Sequence, residues 1–316
     1  MIKRILIIGG AGFIGLNLAK NLSLVTKNKI YIVDNFSRGK NDKELKKIVK
    51  KKNIFLLKSN ILNLSINLKK FTHIFYLVAI VGVKNVIQNP FKTVDNNILP
   101  LFDVLKKLIK VKSSARFIFF STSEVYNPQI KINRFAFLKE DSKIFFNEKT
   151  FDRDSYYISK IFGEKICEFS NLDAISLRPH NIYGPRMGNS HVIPEIIKKI
   201  NSKNTVINIS SPNHTRSFCY IDDAIDQIIK ISLKKRLKYK IYNIGNPQEE
   251  IKIFSLAKKI QLLLKKKKVL KKYIETSGSP LKRKPHMART FFEINSFPKI
   301  SLDEGLKKTI NWYIKN

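Results

Sequence analysis

The chain is poor in the residues that staple small folds. It has two cysteines in 316 residues, Cys167 and Cys219, which excludes a disulfide framework and any paired-cysteine metal site. His73, His180, His191, His214 and His286 never recur at ligand spacing, so no metal-ligating set is expected. Long apolar runs are also missing. The opening run Arg4 to Ile8 meets Gly9 and Gly10 before reaching the roughly 7–15 residues of a secretory core. No later stretch approaches the roughly 20 residues of a membrane span. The expectation is a soluble, cytoplasmic protein with no membrane partner.

Acidic residues are scarce: 24 Asp and Glu face 60 Lys and Arg, a net charge of +36. Such an excess points to polyanion binding or to compositional drift. The basic residues are mostly Lys, spread along the whole chain beside abundant Ile, Asn and Phe. These types share AT-rich codons, so drift is the favoured cause and nucleic acid is not the expected partner. A basic surface attracts a doubly anionic substrate in either case. The 43% of hydrophobic residues predicts a folded globule rather than a disordered chain.

What is present is an alternation of short apolar strands and helices. Residues 4–8, 29–33, 54–57, 73–78, 116–120 and 174–177 read as strands, and 13–24, 100–110 and 156–170 as helices. This is the α/β pattern of a doubly wound, Rossmann-type parallel sheet. After residue 178 Pro and Gly become more frequent and the elements shorten. The division expected is residues 1–177 for the cofactor and 178–316 for a smaller α/β substrate lobe, partly interleaved with the first.

The segment Gly9-Gly10-Ala11-Gly12-Phe13-Ile14-Gly15 follows the first strand and opens a helix. Gly9 makes the tight turn, Gly12 lets the backbone approach a pyrophosphate, and Gly15 lets helix and strand pack, with the helix N-terminus facing the phosphates. Asp34 ends the second strand, where a carboxylate binds the adenosine ribose hydroxyls and repels a 2′-phosphate. NAD is therefore favoured over NADP, although Arg38 and Lys40 close by soften that preference.

Tyr156 and Lys160 stand at i, i+4 on one helix face. A neighbouring ammonium lowers a phenol's pKa, which suits Tyr156 as a general base. Ser121-Thr122-Ser123-Glu124-Val125-Tyr126 follows the fifth strand directly and places hydroxyls where substrate meets nicotinamide. Capping of the strand end is the structural alternative for those hydroxyls.

Together these motifs resemble the extended short-chain dehydrogenase/reductase family of nucleotide-sugar epimerases, dehydratases and decarboxylases, over nearly the whole chain. Arg178-Pro179-His180-Asn181-Ile182-Tyr183-Gly184-Pro185, Thr215-Arg216-Ser217-Phe218 and Lys282-Arg283-Lys284-Pro285 are similar to its substrate-lobe segments. The resemblance implies a bound NAD that is reduced and reoxidised within each turnover, and a 4-keto sugar intermediate. It makes Thr122, Ser123, Glu124, Tyr156 and Lys160 the catalytic set. It extends the cofactor set from Gly9, Gly12, Gly15 and Asp34 to Phe13, Ile14, Asn35, Ser37, Asn60 and Ile61. Leu77, Val78, Ala79 and Pro179 join them, with Tyr156 and Lys160. It assigns Lys84, Asn181, His191, Val192, Arg216 and Arg283 to a nucleotide-diphosphate sugar, a UDP-sugar above all. It also implies a homodimer through the helices near 100–112 and 156–170.

The fate of the 4-keto sugar stays open. A UDP-sugar 4-epimerase is the first reading. Glu124, within a Ser-Thr-Ser-Glu-Val-Tyr run similar to UDP-glucuronate decarboxylases, keeps decarboxylation as an alternative. A 4,6-dehydratase is the other, although Ser123 stands where those enzymes carry Asp. Asn127 after Tyr126, Asn60 in place of an Asp and Pro100-Leu101 in place of Gly-Thr depart from the family pattern. His191-Val192-Ile193-Pro194 looks more like the dehydratases and epimerases. A non-catalytic NAD- or RNA-binding relative is the reading from a different class. The intact Thr122, Tyr156 and Lys160 argue against it.

Overall fold

A computed structural model describes residues 2–80, 82–128, 138–146, 151–276 and 279–316, without the side chains of Val83 and Lys84. In chain order the strands are β1 (Arg4–Ile8), β2 (Lys29–Asp34), β3 (Ile54–Lys58), β4 (His73–Tyr76), β5 (Arg116–Phe120), β6 (Ala174–Pro179) and β7 (Ile182–Tyr183). There follow β8 (Val206–Ile209), β9 (Thr215–Ser217), β10 (Cys219–Tyr220), β11 (Ile241–Ile244), β12 (Glu250–Lys252), β13 (Val269–Lys272) and β14 (Lys282–Arg283). The helices are α1 (Phe13–Leu22), α2 (Lys43–Ile48), α3 (Val83–Gln88), α4 (Pro90–Lys110), α5 (Asp154–Phe169) and α6 (Val192–Asn201). They continue with α7 (Ile221–Leu233), α8 (Ile253–Leu263), α9 (Ala288–Ile294) and α10 (Leu302–Lys315).

Seven strands form one parallel sheet in the order β11-β6-β5-β4-β1-β2-β3. Its central strands are continuous apolar runs, and Ile5, Leu6, Ile7, Ile74 and Phe117 are fully buried. That is the composition of a sheet covered on both faces. The chain moves outward from β1 to β3, then returns to β4 on the other side of β1. The order therefore reverses between β1 and β4, and ligands of such sheets bind at the carboxyl ends beside that switch. Gly9 and Leu77 stand there.

Helix α4 buries Leu101, Val104, Leu105 and Leu108, an i, i+3, i+4, i+7 stripe, against Leu6, Tyr76, Phe117 and Phe119 of the sheet. The sequence placed the start of this helix at Pro100, and the structure starts it at Pro90. Pro90 holds the first-turn position, where a missing N–H costs nothing. Pro100 sits inside the helix and is buried.

By contacts the chain falls into two compact units: Met1–Val125, Lys149–Arg178 and Ile225–Tyr242 in the first; Tyr126–Glu148, Pro179–Ala224 and Asn243–Asn316 in the second. The second unit holds the three-stranded sheet β12-β9-β14 and the parallel pairs β10-β7 and β13-β8.

Candidate active site

In the first unit, the glycine turn adopts the geometry its residues demand. Gly9 has φ of +80°, a left-handed conformation that side chains rarely adopt. A Cβ on Gly15 would stand 2.6 Å from the Gly10 Cα, so only glycine lets α1 lie this close to the turn. Gly12 caps α1 in an extended conformation with no side-chain hydrogen bond to the first-turn amides. Phe13 and Ile14, both partly exposed, follow it. An uncapped helix start behind a glycine turn fits a diphosphate.

Asp34 fixes the other wall. Its Oδ2 accepts the Ala11 amide at 2.9 Å and its Oδ1 the Phe36 amide at 2.8 Å, tying the end of β2 to the glycine turn. Each oxygen keeps a lone pair for a ribose hydroxyl. Asn35 accepts the Ser37 amide at 3.0 Å, and both residues are exposed. Asn60 accepts the Leu62 amide at 3.1 Å, while Ile61 is buried in the core. Those two thus carry local structural tasks. Leu77, Val78 and Ala79 are partly exposed after β4. Arg38 donates from Nη1 to the Ala79 carbonyl at 3.0 Å, which commits the guanidinium away from Asp34.

The residues expected to be catalytic lie in the segment just after β5 and on α5. Thr122 Oγ1 accepts the Glu124 amide at 3.2 Å, so the hydroxyl proton points elsewhere. Ser123 is buried, and Ser121 Oγ is buried without a hydrogen-bond partner. Lys160 is buried and donates from Nζ to the Phe120 carbonyl at 2.8 Å, with Nζ 4.9 Å from the centre of the Phe119 ring. Burial pushes its ammonium down to about 7, against Cys167 and Glu164, which favour the charged form. Tyr156, one turn earlier, is partly exposed. Glu164, one turn later, receives Arg178 of β6 through a buried fork, Nε to Oε1 at 2.8 Å and Nη2 to Oε2 at 2.7 Å, which locks α5 to the sheet.

Two further supports carry no sequence motif. Asn97 accepts the Ile80 amide at 2.7 Å and donates to Ser159 Oγ at 3.0 Å, and Ser159 donates to the Tyr156 carbonyl at 2.7 Å. Arg153 brings Nη2 to 3.8 Å from Glu124 Oε1. A buried asparagine within the apolar stripe of α4 was the one available signal for the first.

The second unit brings three of the expected substrate residues together. Arg216 on β9 and Arg283 on β14 are register partners in a parallel pair, and each is 8% exposed. Arg216 donates to the Thr215 carbonyl at 2.6 Å and to Ser279 Oγ at 2.9 Å. Arg283 donates to Asn127 Oδ1 at 2.9 Å. Like charges side by side on a sheet are costly, and an anion relieves that cost. Asn181, at φ of +40°, donates to the Ser217 carbonyl at 3.1 Å on the same strand β9. Its neighbour Pro179 is partly exposed. His191 is exposed at the start of α6, where Val192 is the first helical residue. Lys84 lies outside the described side chains. His180 is wholly buried, with Nε2 3.0 Å from Asn243 Oδ1, which also accepts the Tyr126 hydroxyl at 2.9 Å.

An open cavity of about 670 Å³ lies elsewhere, between Lys69 ahead of β4 and Lys107, Lys110 and Lys112 ahead of β5. It opens at the amino ends of the strands, opposite the end where such sheets bind ligands.

Residues 5–245 match the model of the NAD dependent epimerase/dehydratase family. The chain is 30% identical to a UDP-N-acetyl-alpha-D-glucosaminuronate decarboxylase of Bacillus cytotoxicus, over 99% of this chain and 98% of that protein. It is 26% identical to UDP-glucuronic acid decarboxylase 1 of Xenopus tropicalis, over 99% of this chain and 72% of that one. The crystal structure of a UDP-glucuronic acid 4-epimerase from Bacillus cereus, in complex with UDP-glucuronic acid and NAD, superposes with a TM-score of 0.86. It is 22% identical over 99% of both chains, a likeness of fold. With a matching turn, acidic partner and Tyr-Lys helix in place, this chain belongs to the NAD-dependent epimerase/dehydratase family.

Proposed function

We propose that the protein is an NAD-dependent decarboxylase of a UDP-uronic acid. The observation that carries this reading is Glu124. A carboxylate two residues beyond Thr122, drawn to Arg153 at 3.8 Å, has no task in a simple 4-epimerisation. The similarity to two decarboxylases over 99% of this chain supports the same choice.

Bound NAD supplies a reversible two-electron oxidation at the sugar's carbon 4. Tyr156 takes the proton of the 4-hydroxyl and later returns it. Lys160, one turn from Tyr156 on the same helix face, lowers the phenol's pKa in its protonated form, and Thr122 donates its hydroxyl proton to the same sugar oxygen. Once carbon 4 is a ketone, the carboxylate on carbon 5 is a β-keto acid. The C5–C6 bond breaks, its electron pair enters the enolate between carbons 4 and 5, carbon dioxide leaves, and one proton returns to carbon 5. Residues 1–177 carry the cofactor and this chemistry in our reading. From residues 178–316, Arg216 and Arg283 answer the diphosphate of the UDP group, with Asn181 beside them.

A homodimer completes the reading. Leu99 and Phe102 of α4 and Phe162 and Phe169 of α5 are exposed at 57%, 47%, 57% and 76%, on faces turned from the core, and apolar surface of this kind marks an interface.

Purified protein incubated with UDP-glucuronate, UDP-N-acetylglucosaminuronate, UDP-glucose and UDP-N-acetylglucosamine, followed by mass and sugar NMR, tests the reaction. Loss of carbon dioxide from a uronate is expected. A 4-epimerase is the second reading, favoured by the segment His191-Val192-Ile193-Pro194. Unchanged mass with an inverted carbon 4 would establish it in place of the first.

A further inference from the structure

His214 stands just before β9 and belongs to no motif. The chain that carries it is tied on both sides. The His214 amide donates to the Ser211 carbonyl at 3.1 Å, and the His214 carbonyl accepts the Ile253 amide at 2.9 Å. Ser211 in turn clasps the segment between β13 and β14. Its amide donates to the Ile274 carbonyl at 3.1 Å, and its Oγ accepts the Thr276 amide at 2.8 Å. That clasp sets Glu275 beside the buried imidazole, with Oε1 3.6 Å from Nε2.

On the other side of the ring, Nδ1 lies 3.3 Å from Ser279 Oγ, and the same oxygen accepts Arg216 Nη2 at 2.9 Å. A serine hydroxyl has one proton to give. With the guanidinium donating to the oxygen, Nδ1 stands where that proton can go. An imidazole that accepts at Nδ1 carries its hydrogen on Nε2, the nitrogen facing the Glu275 carboxylate. The opposite tautomer would set a lone pair against that carboxylate and a second donor against Ser279. Burial and the Arg216 charge hold the ring below its ordinary pKa, against Glu275, so the neutral form prevails near pH 7. The donors run in one direction: Arg216 to Ser279, Ser279 to His214, His214 toward Glu275.

We propose that His214 is a positioning residue: by taking the Ser279 proton it fixes the serine oxygen as an acceptor for Arg216, and so sets that guanidinium for the phosphates of a nucleoside diphosphate. The inference rests on the assignment of Arg216 to the diphosphate in the reading above, and deepens it. Arg216 Nη1 has its own anchor, the Thr215 carbonyl at 2.6 Å. Anchors on two different nitrogens fix the plane of the fork. A guanidinium ordered in advance loses less freedom when the anion arrives.

Titration calorimetry of the NAD-loaded protein with UDP, and with uridine, which lacks the diphosphate, tests this. The proteins compared are wild type, H214L, H214N, S279A, the double variant H214L/S279A and R216Q, with NAD affinity and circular dichroism as controls of fold. H214L and S279A are each expected to weaken UDP by roughly two- to tenfold, the range of one neutral hydrogen bond, and uridine by less than about twofold. The double variant is expected to fall no further than S279A, because the two residues act in series. H214N, whose side-chain oxygen stands near the place of Nδ1, is expected to recover most of the loss. S279A carries the comparison alone if H214L loses its fold. UDP affinity kept in H214L and S279A but lost in R216Q overturns the proposal and leaves the diphosphate assignment standing. Equal weakening of UDP and uridine does the same. UDP that binds wild type no better than uridine, or that keeps its advantage in R216Q, removes that assignment and this inference with it.

Discussion

Lys160 carries a charge that its burial opposes, with a consequence for stability. The unfolded lysine titrates near 10.4 and the buried one near 7. Below about pH 7 both states hold the proton and the full cost of burying the ammonium is present. Between about 7 and 10.4 only the unfolded chain holds it, so this group raises stability as pH rises, by at most about 1.4 kcal/mol per pH unit. Denaturant midpoints of the cofactor-free protein should climb over that window, and K160M should flatten the climb. An identical slope in both would show that Lys160 is not the source. Tyr156→Phe should lower turnover by roughly 10²–10⁴-fold, the usual share of a general base, with NAD affinity retained. Turnover within tenfold of wild type would remove Tyr156 from that role. Both residues were legible in the sequence because their relation is local, one turn along one helix. Arg153 and Asn97 were not, because Glu124, Ile80 and Ser159 reach them only through the folded chain and no period in the sequence joins them.

Element boundaries followed the same rule. The strands were legible wherever a sheet buried on both faces forces an unbroken apolar run, as at Ile5 to Ile8 and Phe117 to Phe120. Helix α4 was misjudged at its start because Pro100, taken alone, reads as an opening. The structure uses Pro90 for that purpose, while Pro100 is carried inside by its burial in the stripe with Leu101 and Leu105. Leu105→Ala should cost about 2–5 kcal/mol, as for other truncations in a packed core, read as a lower urea midpoint. The fork between Arg178 and Glu164 is the clamp that holds α5 at the sheet. Arg178→Met strands a buried carboxylate and should cost about 3–5 kcal/mol. The paired change with Glu164→Leu should recover much of that, because the uncompensated charge goes with it. No recovery in the double variant would place the loss in packing rather than charge.

At the scale of the whole chain, the +36 charge sets long-range attraction for an anionic substrate. Raising salt from about 0.02 to 0.5 M shrinks the reach of that field from roughly 20 to 4 Å, so KM for a UDP-sugar should rise several-fold. A KM indifferent to salt would leave the lysines without a part in substrate capture. Light scattering should give twice the mass of 36.7 kDa, and Phe102→Glu should halve it. The arginine pair has a further consequence. Arg216 and Arg283 occupy matched positions on adjacent strands, so like charges meet where β9 and β14 pair. On the proposed assignment of this pair to the diphosphate, UDP without a sugar should raise the melting temperature through mass action alone. In a cell, the amount of this protein that survives proteolysis would follow the size of the UDP pool, making abundance itself a reading of nucleotide supply.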